Sequence, residues 1–244
     1  MISNFINKNS EHFNKPCVIF DTNKFNGIKY RLDTDGMVIF NSNLNDKFLD
    51  NLNEKIINLI KNKNDNELKI YNKDQKNRLK TNIPNSSNLY RDIENNFKSI
   101  LHILSFEFCK KVNISKINFD IALPNSNLQY PHWDNEEKDK KYFLTVPLIT
   151  MDNTNGALEI WPCTNGIDKF IDKTKTENNL EYSLVNMQFK NTFIEISDLV
   201  SNLKSYNGPF YKKQIIIRDN STLHRGTTNK SDKIRITITI VLDI

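Results

Sequence analysis

Residues 129–134 read Gln-Tyr-Pro-His-Trp-Asp, and this stretch decides how the rest of the chain is interpreted. Pro131 restricts the residue before it to extended conformations, so the chain approaches His132 as an extended segment. Side chains two residues apart on such a segment lie on the same side of the backbone, which brings His132 and Asp134 together. One further histidine from another strand would complete a face of two histidines and one carboxylate. That ligand set is typical of non-heme Fe(II) with open coordination positions.

The second histidine is His224, and Arg235 follows it eleven residues later. Taken singly, each ligand candidate has a structural alternative: His132 in a loop, Asp134 capping a turn, and His224 at the surface. Their order and spacing, however, resemble the phytanoyl-CoA dioxygenase-like branch of the Fe(II)/2-oxoglutarate oxygenases. The resemblance extends from about residue 35 to the C-terminus.

This resemblance implies a role for each of these residues. His132, Asp134 and His224 would hold Fe(II) and carry the catalysis, and Arg235 would bind the distal carboxylate of 2-oxoglutarate. The implied enzyme is a dioxygenase that uses O2 to hydroxylate a C–H bond of a small-molecule substrate while 2-oxoglutarate is decarboxylated to succinate. Asp134 argues against a halogenase of the same family, in which a small residue replaces the carboxylate. A metal-binding but inactive jelly-roll binding protein remains the alternative.

Two further residues are candidates for binding 2-oxoglutarate. Gln129 lies three residues before His132, where some family members place a glutamine that holds the iron-chelating carboxylate. A loop glutamine satisfied by the backbone is the alternative. Thr145 lies on a strand whose alternation does not decide which face is inward. The chain also departs from the family, because Gly226 stands where a hydroxyl residue often contacts the co-substrate; Thr227 is the available substitute.

The last apolar segment alternates strictly over residues 234–240. Isoleucines occupy the even positions, and Arg235, Thr237 and Thr239 occupy the odd ones, so a strand here has one aliphatic and one polar face. The polar face would meet solvent in a simple sandwich. In a barrel that holds an anionic co-substrate it would line the interior, where the Arg235 guanidinium offers two parallel donors to a carboxylate. The spacing from His224 favours the interior.

Hydrophobic periodicity places helices in the first half of the chain and strands in the second. Apolar residues at helical spacing predict one helix after a cap at Asn45 or Asp46 and a second over residues 89–108. Strands are predicted at 37–40, 119–123, 143–149, 158–161, 214–218 and 234–242, with a further strand-like piece near 184–189. Residues 61–80, mostly Asn, Lys and Asp, are interpreted as an exposed connection. The pattern favours a mainly β protein with flanking helices (α+β), a double-stranded β-helix barrel of the jelly-roll or cupin-like type with a helical buttress.

A chain of 244 residues with this patterning is expected to form a single oxygenase domain over residues 1–244. Within it, residues 1–112 would supply an N-terminal strand and the buttressing helices, and residues 113–244 the β-helix core. An insert near residues 165–209 is predicted to form a lid or pocket wall. Nothing in that insert identifies the substrate: a carrier-bound acyl group, a sugar or amino-acid derivative and a protein side chain all remain open.

Composition argues against several other classes of protein. With 38% hydrophobic and 26% charged residues, the chain is typical of a globular protein, and it has no run of about 20 apolar residues that would span a membrane. The net charge of +5 comes without basic blocks interleaved with aromatic residues, so nucleic-acid binding is not indicated. The three cysteines share no metal-binding spacing, and the N-terminus lacks an apolar signal segment. We therefore expect reduced cysteines and a cytoplasmic location. The oligomeric state is not encoded in these features.

Overall fold

The computed structural model describes residues 27–62, 69–72, 76–134, 140–165, 171–172, 187–189, 192–194 and 200–244. Its helices are α1 (Ile28–Asp35), α2 (Asp46–Asn62) and α3 (Asn88–Phe108). Its strands are β1 (Met37–Asn41), β2 (Lys69–Asn72), β3 (Arg78–Asn82), β4 (Asn113–Ala122), β5 (Tyr142–Pro147), β6 (Leu158–Ile160), β7 (Ile171–Asp172), β8 (Met187–Phe189), β9 (Thr192–Ile194), β10 (Gln214–Asp219), β11 (His224–Gly226) and β12 (Arg235–Asp243). None of the helices within these ranges is long and apolar enough to cross a membrane.

A seven-stranded antiparallel sheet forms the larger part of the fold, in the order β1-β10-β5-β12-β4-β3-β2. Strand β12 lies inside it and pairs with β4 on one side and β5 on the other. Ile236, Ile238 and Ile240 of β12 are buried in the same apolar core as helices α2 and α3. The polar residues between them line a cavity on the other face of the sheet. The apolar residues of this alternating sequence therefore face the core, and its polar residues face the cavity.

Helix α3 covers the aliphatic side of the large sheet. It begins after Ser87, whose side chain accepts a hydrogen bond from the Tyr90 backbone N–H at 3.1 Å. Its buried residues recur at helical spacing: Leu89, Tyr90, Ile93, Phe97, Ile100, Leu104 and Phe108. Burial of this face stabilises the helix more than intrinsic propensity does.

A second, smaller sheet consists of β6 and β11. Isolated backbone bridges extend it on both sides, from Ile160 to Tyr206 and from His224 to His132. Side chains of this sheet and of the large sheet line one common cavity of about 90 Å³. The cavity thus lies between the two sheets, on the face of the large sheet opposite the helices.

The predicted helices over residues 45–60 and 89–108 are confirmed, as are the strands predicted at 37–40, 143–149, 158–161, 214–218 and 234–242, with shifts of one or two residues at their ends. The strand predicted at 119–123 is confirmed but begins six residues earlier, and of the piece near 184–189 the structure describes residues 187–189, which form β8. The coarse form of the fold prediction, antiparallel strands with a few helices, is confirmed as well. Closure of the sheets into a double-stranded β-helix barrel stays a prediction. Most of the predicted lid, including residues 173–186, lies outside the described residues. Its described pieces contain β7, β8 and β9, which pair in a separate three-stranded sheet.

The interpretation of residues 61–80 as an exposed connection was wrong for the strands that the structure describes there. Strand β2 lies in this range and β3 begins in it, and both extend the large sheet beyond β4. Arg78, at the start of β3, is 3% exposed. These short, mostly polar segments carry little hydrophobic pattern of their own, and pairing with β4 decides their conformation. Helix α1 also went unpredicted, because Ile28 and Leu32 are its only buried apolar residues.

Phe97 and Phe106 lie on the same helix but are 0% and 77% exposed, respectively. We expect Phe97→Ala to lower the free energy of unfolding by about 3–5 kcal/mol, because it removes a buried ring and leaves a cavity. Phe106→Ala, the matched control, should change it by less than about 0.5 kcal/mol. Urea denaturation followed by circular dichroism measures both values. Equal destabilisation by the two variants would contradict this orientation of helix α3.

Candidate metal centre

Two backbone hydrogen bonds bring His132 and His224 together. The His132 N–H donates to the His224 carbonyl at 2.9 Å, and the His224 N–H donates to the His132 carbonyl at 3.1 Å. Residues that exchange both bonds lie directly opposite each other in an antiparallel pair, and their side chains lie on the same face. The centroids of the two imidazole rings are accordingly 4.4 Å apart.

Asp134, two residues after His132, lies beside the two histidines. Its backbone N–H donates to the Asn220 carbonyl at 3.1 Å, which holds the segment after His132 against the loop before β11. Asp134 Oδ2 lies 3.4 Å from His224 Nε2. One ligand atom from each of the three side chains lies within 4.8 Å of the others. The three predicted ligands are therefore assembled in one cluster that could hold a metal ion.

Both histidines have one ring nitrogen engaged by the backbone. Nδ1 of His132 lies 2.8 Å from the Tyr130 carbonyl oxygen, and Nδ1 of His224 lies 3.0 Å from the Thr222 carbonyl oxygen. A carbonyl oxygen only accepts, so each Nδ1 carries a proton, and in the neutral form of each ring Nε2 keeps its lone pair. Bonds of this kind orient the imidazole ligands of protein metal sites. The donor set, two imidazole nitrogens and a carboxylate, fits a divalent transition metal.

Arg218 sets the charge of the carboxylate. Its Nη2 donates a hydrogen bond to Asp134 Oδ2. Burial by itself would raise the pKa of Asp134, but Arg218, followed by the two histidines, lowers that pKa well below its usual range. Burial, together with the charge of Arg218, lowers the pKa of His224 well below its ordinary value. At neutral pH Asp134 is thus ionised and His224 is neutral, and these are the protonation states that bind a metal cation.

Arg235 lies in the same cavity as the three candidate ligands. It is 5% exposed, and its Nη1 donates to the Asp120 carbonyl at 3.2 Å. Its Nε is buried and has no hydrogen-bond partner among the described residues. The polar face of β12 therefore lines the cavity and does not meet solvent, and Arg235 has a donor available for a ligand.

Thr145 and Gln129 line the cavity as well. Both are buried, so the face of β5 that carries Thr145 is turned inward. Gln129 Oε1 accepts a hydrogen bond from the Gly226 N–H at 2.7 Å, which is the backbone-satisfied arrangement that the sequence left open. The bond leaves the amide nitrogen of Gln129 as the donor that this side chain can offer. The role of either residue in binding 2-oxoglutarate stays a prediction.

Two arginines of this cavity were missed from the sequence. Arg218 lies near the end of β10, and its guanidinium carbon is 4.5 Å from the centre of the Phe143 ring. Its Nε and Nη1 are buried without a partner in the described part of the chain. Arg78 reaches the cavity from β3. The sequence feature that could have indicated a buried role for Arg218 is its position directly after three isoleucines. No sequence feature indicated that Arg78 lines the cavity, because its strand was not recognised.

No protein-family model matches this chain, and no curated protein is detectably similar to it in sequence. Solved structures with a similar fold are nonetheless found. AviO1 from Streptomyces viridochromogenes Tue57 is 12% identical, with a TM-score of 0.64, and the match covers 94% of this chain and 97% of AviO1.

Two other neighbours were solved with bound groups. The epimerase SnoN, in complex with Fe3+, alpha-ketoglutarate and nogalamycin RO, is 12% identical, with a TM-score of 0.66 over 88% of this chain and 81% of SnoN. EctD from S. alaskensis, with bound Fe, is 10% identical, with a TM-score of 0.62 over 92% of this chain and 79% of EctD. At identities this low, the TM-scores establish a shared fold and no more. The chain therefore has the fold of a group of proteins that includes iron- and 2-oxoglutarate-binding enzymes, and it carries a His-Asp-His cluster.

His224 and His102 form a matched pair, because one lies in the cluster and the other is exposed on helix α3. We expect His224→Ala to weaken Fe(II) binding by more than about 100-fold, since loss of an outer-shell contact alone costs about 10–100-fold. His102→Ala should bind as the wild type does. Anaerobic calorimetric titration with Fe(II), repeated with Mn(II), measures both affinities. A His224→Ala protein with wild-type metal affinity would remove His224 from the ligand set.

Proposed function

We propose that this protein is an Fe(II)- and 2-oxoglutarate-dependent dioxygenase of the phytanoyl-CoA dioxygenase-like branch, a single domain built on a double-stranded β-helix. One observation carries the proposal: the cavity that contains the His132, Asp134 and His224 cluster also contains Arg235, a buried cation with an unpaired donor. The fold shared with SnoN and EctD, which were solved with iron, supports it.

Fe(II) fits the cluster in charge and in donor type. His132 and His224 would each supply an imidazole nitrogen and Asp134 a carboxylate oxygen, a facial set that leaves coordination positions open. Iron in such a set, with 2-oxoglutarate and O2, supplies the redox chemistry that couples decarboxylation to succinate with oxidation of a substrate C–H bond. Arg218 holds the carboxylate ionised and in place before the metal arrives.

2-Oxoglutarate fits the remainder of the cavity through its negative charge. A buried donor without an acceptor costs free energy, and the Nε of Arg235 is such a donor. A distal carboxylate bound there would receive a charge-assisted hydrogen bond. Gln129 and Thr145 line the same space and are proposed as further contacts of the co-substrate.

The protein's remaining contribution is to orient the substrate and exclude water. Phe143, Met151 and Leu158 line the cavity beside the charged groups. Apolar walls lower the local dielectric and strengthen the contacts that the arginines and the carboxylate make. A small-molecule C–H bond held against these walls would be hydroxylated away from bulk water.

Arg235→Leu removes the charged partner of the distal carboxylate and leaves the metal ligands in place. We expect the binding free energy of 2-oxoglutarate to weaken by about 2–5 kcal/mol, the cost of truncating one partner of a buried charge pair. Arg91→Leu, at an exposed arginine of helix α3, should bind as the wild type does. Calorimetric titration of 2-oxoglutarate into the Mn(II)-loaded proteins measures the difference. Normal binding by Arg235→Leu would place the co-substrate elsewhere.

Wild-type turnover identifies the kind of oxidation. Fe(II)-loaded protein, incubated in air with 2-oxoglutarate and a panel of small molecules, should form succinate together with a product heavier by one oxygen atom. Because Asp134 occupies the coordination position that a halide would need, chloride and bromide buffers should give no halogenated product. Mass spectrometry reads both outcomes. A halogenated product would contradict the role of Asp134, and metal binding without any consumption of 2-oxoglutarate would favour the inactive binding protein.

A further inference from the structure

Arg78 and Arg235 occupy equivalent positions on the two strands that flank β4. Arg78 is paired with Ala122 across β3 and β4, and Arg235 is paired with the same Ala122 across β12 and β4. Residues directly opposite one another in a sheet have side chains on the same face, and both arginines line the cavity. Between them, β4 contributes only the methyl group of Ala122. Two long cationic side chains therefore flank one small residue.

Backbone carbonyls from two loops hold Arg78 in place. Its Nε donates to the Asn127 carbonyl at 2.9 Å, and its Nη2 donates to the Thr227 carbonyl at 2.5 Å. Its Nη1 makes no hydrogen bond within the described residues. That nitrogen lies 2.5 Å from the position that a Cβ would take on Gly226, so the guanidinium fills the space of a side chain there. Arg78 is thus a positioned cation with one nitrogen left to donate.

The two buried cations require more negative charge than the described residues around them supply. Arg78 is 3% exposed and Arg235 is 5% exposed. Burial and then the charge of Arg235 lower the pKa of Arg78 to about 9, and Asp120 is the one carboxylate that offsets this effect. Asp134, the other carboxylate lining the cavity, is paired with Arg218. One carboxylate beside two buried guanidinium groups leaves an excess of positive charge that an anionic ligand would neutralise.

We propose that Arg78, together with Arg235, binds the distal carboxylate of 2-oxoglutarate and thereby adds to the selection of dicarboxylic over monocarboxylic 2-oxo acids. The inference rests on the proposed function and adds a second cationic contact, from β3. Arg235 offers its unpaired Nε and Arg78 its Nη1, so the carboxylate receives donors from two strands. Gly226 has a positioning role, because its missing side chain makes room for Arg78.

A comparison of two ligands in the Mn(II)-loaded protein tests this site. 2-Oxoglutarate and 2-oxovalerate have the same number of carbon atoms, but 2-oxovalerate lacks the distal carboxylate. We expect Arg78→Leu to weaken 2-oxoglutarate binding by about 10–100-fold, which corresponds to one charge-assisted hydrogen bond. Its affinities for 2-oxovalerate and for Mn(II) should not change, and Arg91→Leu should match the wild type in all three. Calorimetric titration measures each affinity.

Gly226→Ala tests the same site by a steric route. The backbone of Gly226 does not lie in the left-handed region, and the new Cβ would lie 2.5 Å from Arg78 Nη1 and 2.6 Å from Gln129 Oε1. Displacement of the guanidinium should reduce the ratio of 2-oxoglutarate to 2-oxovalerate affinity. Combined with Arg78→Leu it should add little to that reduction, because both changes act on the contact to the distal carboxylate. A shift of Gln129 should affect both ligands alike, since Gln129 is the candidate partner of the carboxylate that both ligands carry. Arg78→Lys, which keeps the charge, should retain part of the selectivity.

The possible results separate this inference from the proposed function. Unchanged 2-oxoglutarate affinity in Arg78→Leu overturns the inference. An equal loss for both ligands overturns it as well, because Arg78 would then have a structural role only. A wild-type protein that binds Mn(II) but neither ligand refutes the proposed function before any Arg78 variant is made. Should Arg78→Leu fail to fold, Arg78→Lys and Gly226→Ala decide the question by the same affinity ratio.

Discussion

The reciprocal backbone hydrogen bonds between His132 and His224 are the constraint on which the site depends. They join a segment that lies outside the named strands to the edge of β11, and they determine the register between the two. A shift of one residue in an antiparallel pair turns each side chain to the opposite face. Such a shift would carry both His132 and Asp134 away from His224. Two bonds therefore maintain all three candidate ligands as one cluster.

The cavity contains buried cations whose donors are only partly satisfied. Arg218 and Arg235 each have an Nε without a partner in the described part of the chain, and an unpaired buried donor lowers the stability of the folded state. The same unpaired donors that are available to a ligand thus lower the stability of the protein without ligand, as is common where a binding site is formed before its ligand arrives. An anion that accepts from these donors would remove the cost, so saturation with ligand should also stabilise the fold.

Sequence patterns predicted the local parts of the site. The spacing of His132 and Asp134 and the alternation along β12 determine side-chain direction relative to near neighbours, whatever the remaining fold. Arg78 and Arg218 could not be predicted in this way, because their place in the cavity depends on which strands pair. Arg78 lies in a strand of five residues with a single apolar side chain, so no hydrophobic pattern marks the strand, and Arg78 acquires its position from the distant Ala122. The partner of Gln129 was equally undetermined, because the Gly226 N–H belongs to a distant strand.

Gly226 lies directly beside both Arg78 and Gln129. In the sequence, Gly226 lacks the hydroxyl that the resembled family often uses there to bind the co-substrate. In the fold, Arg78 Nη1 and Gln129 Oε1 converge on the space that its side chain would occupy, so the glycine is required by its surroundings. If Arg78 holds the distal carboxylate as proposed, β3 supplies a donor to the co-substrate that the glycine on β11 does not. Identities of 10–12% with structures of similar fold leave room for such exchanges. A cavity between two sheets can receive equivalent donors from any strand that lines it.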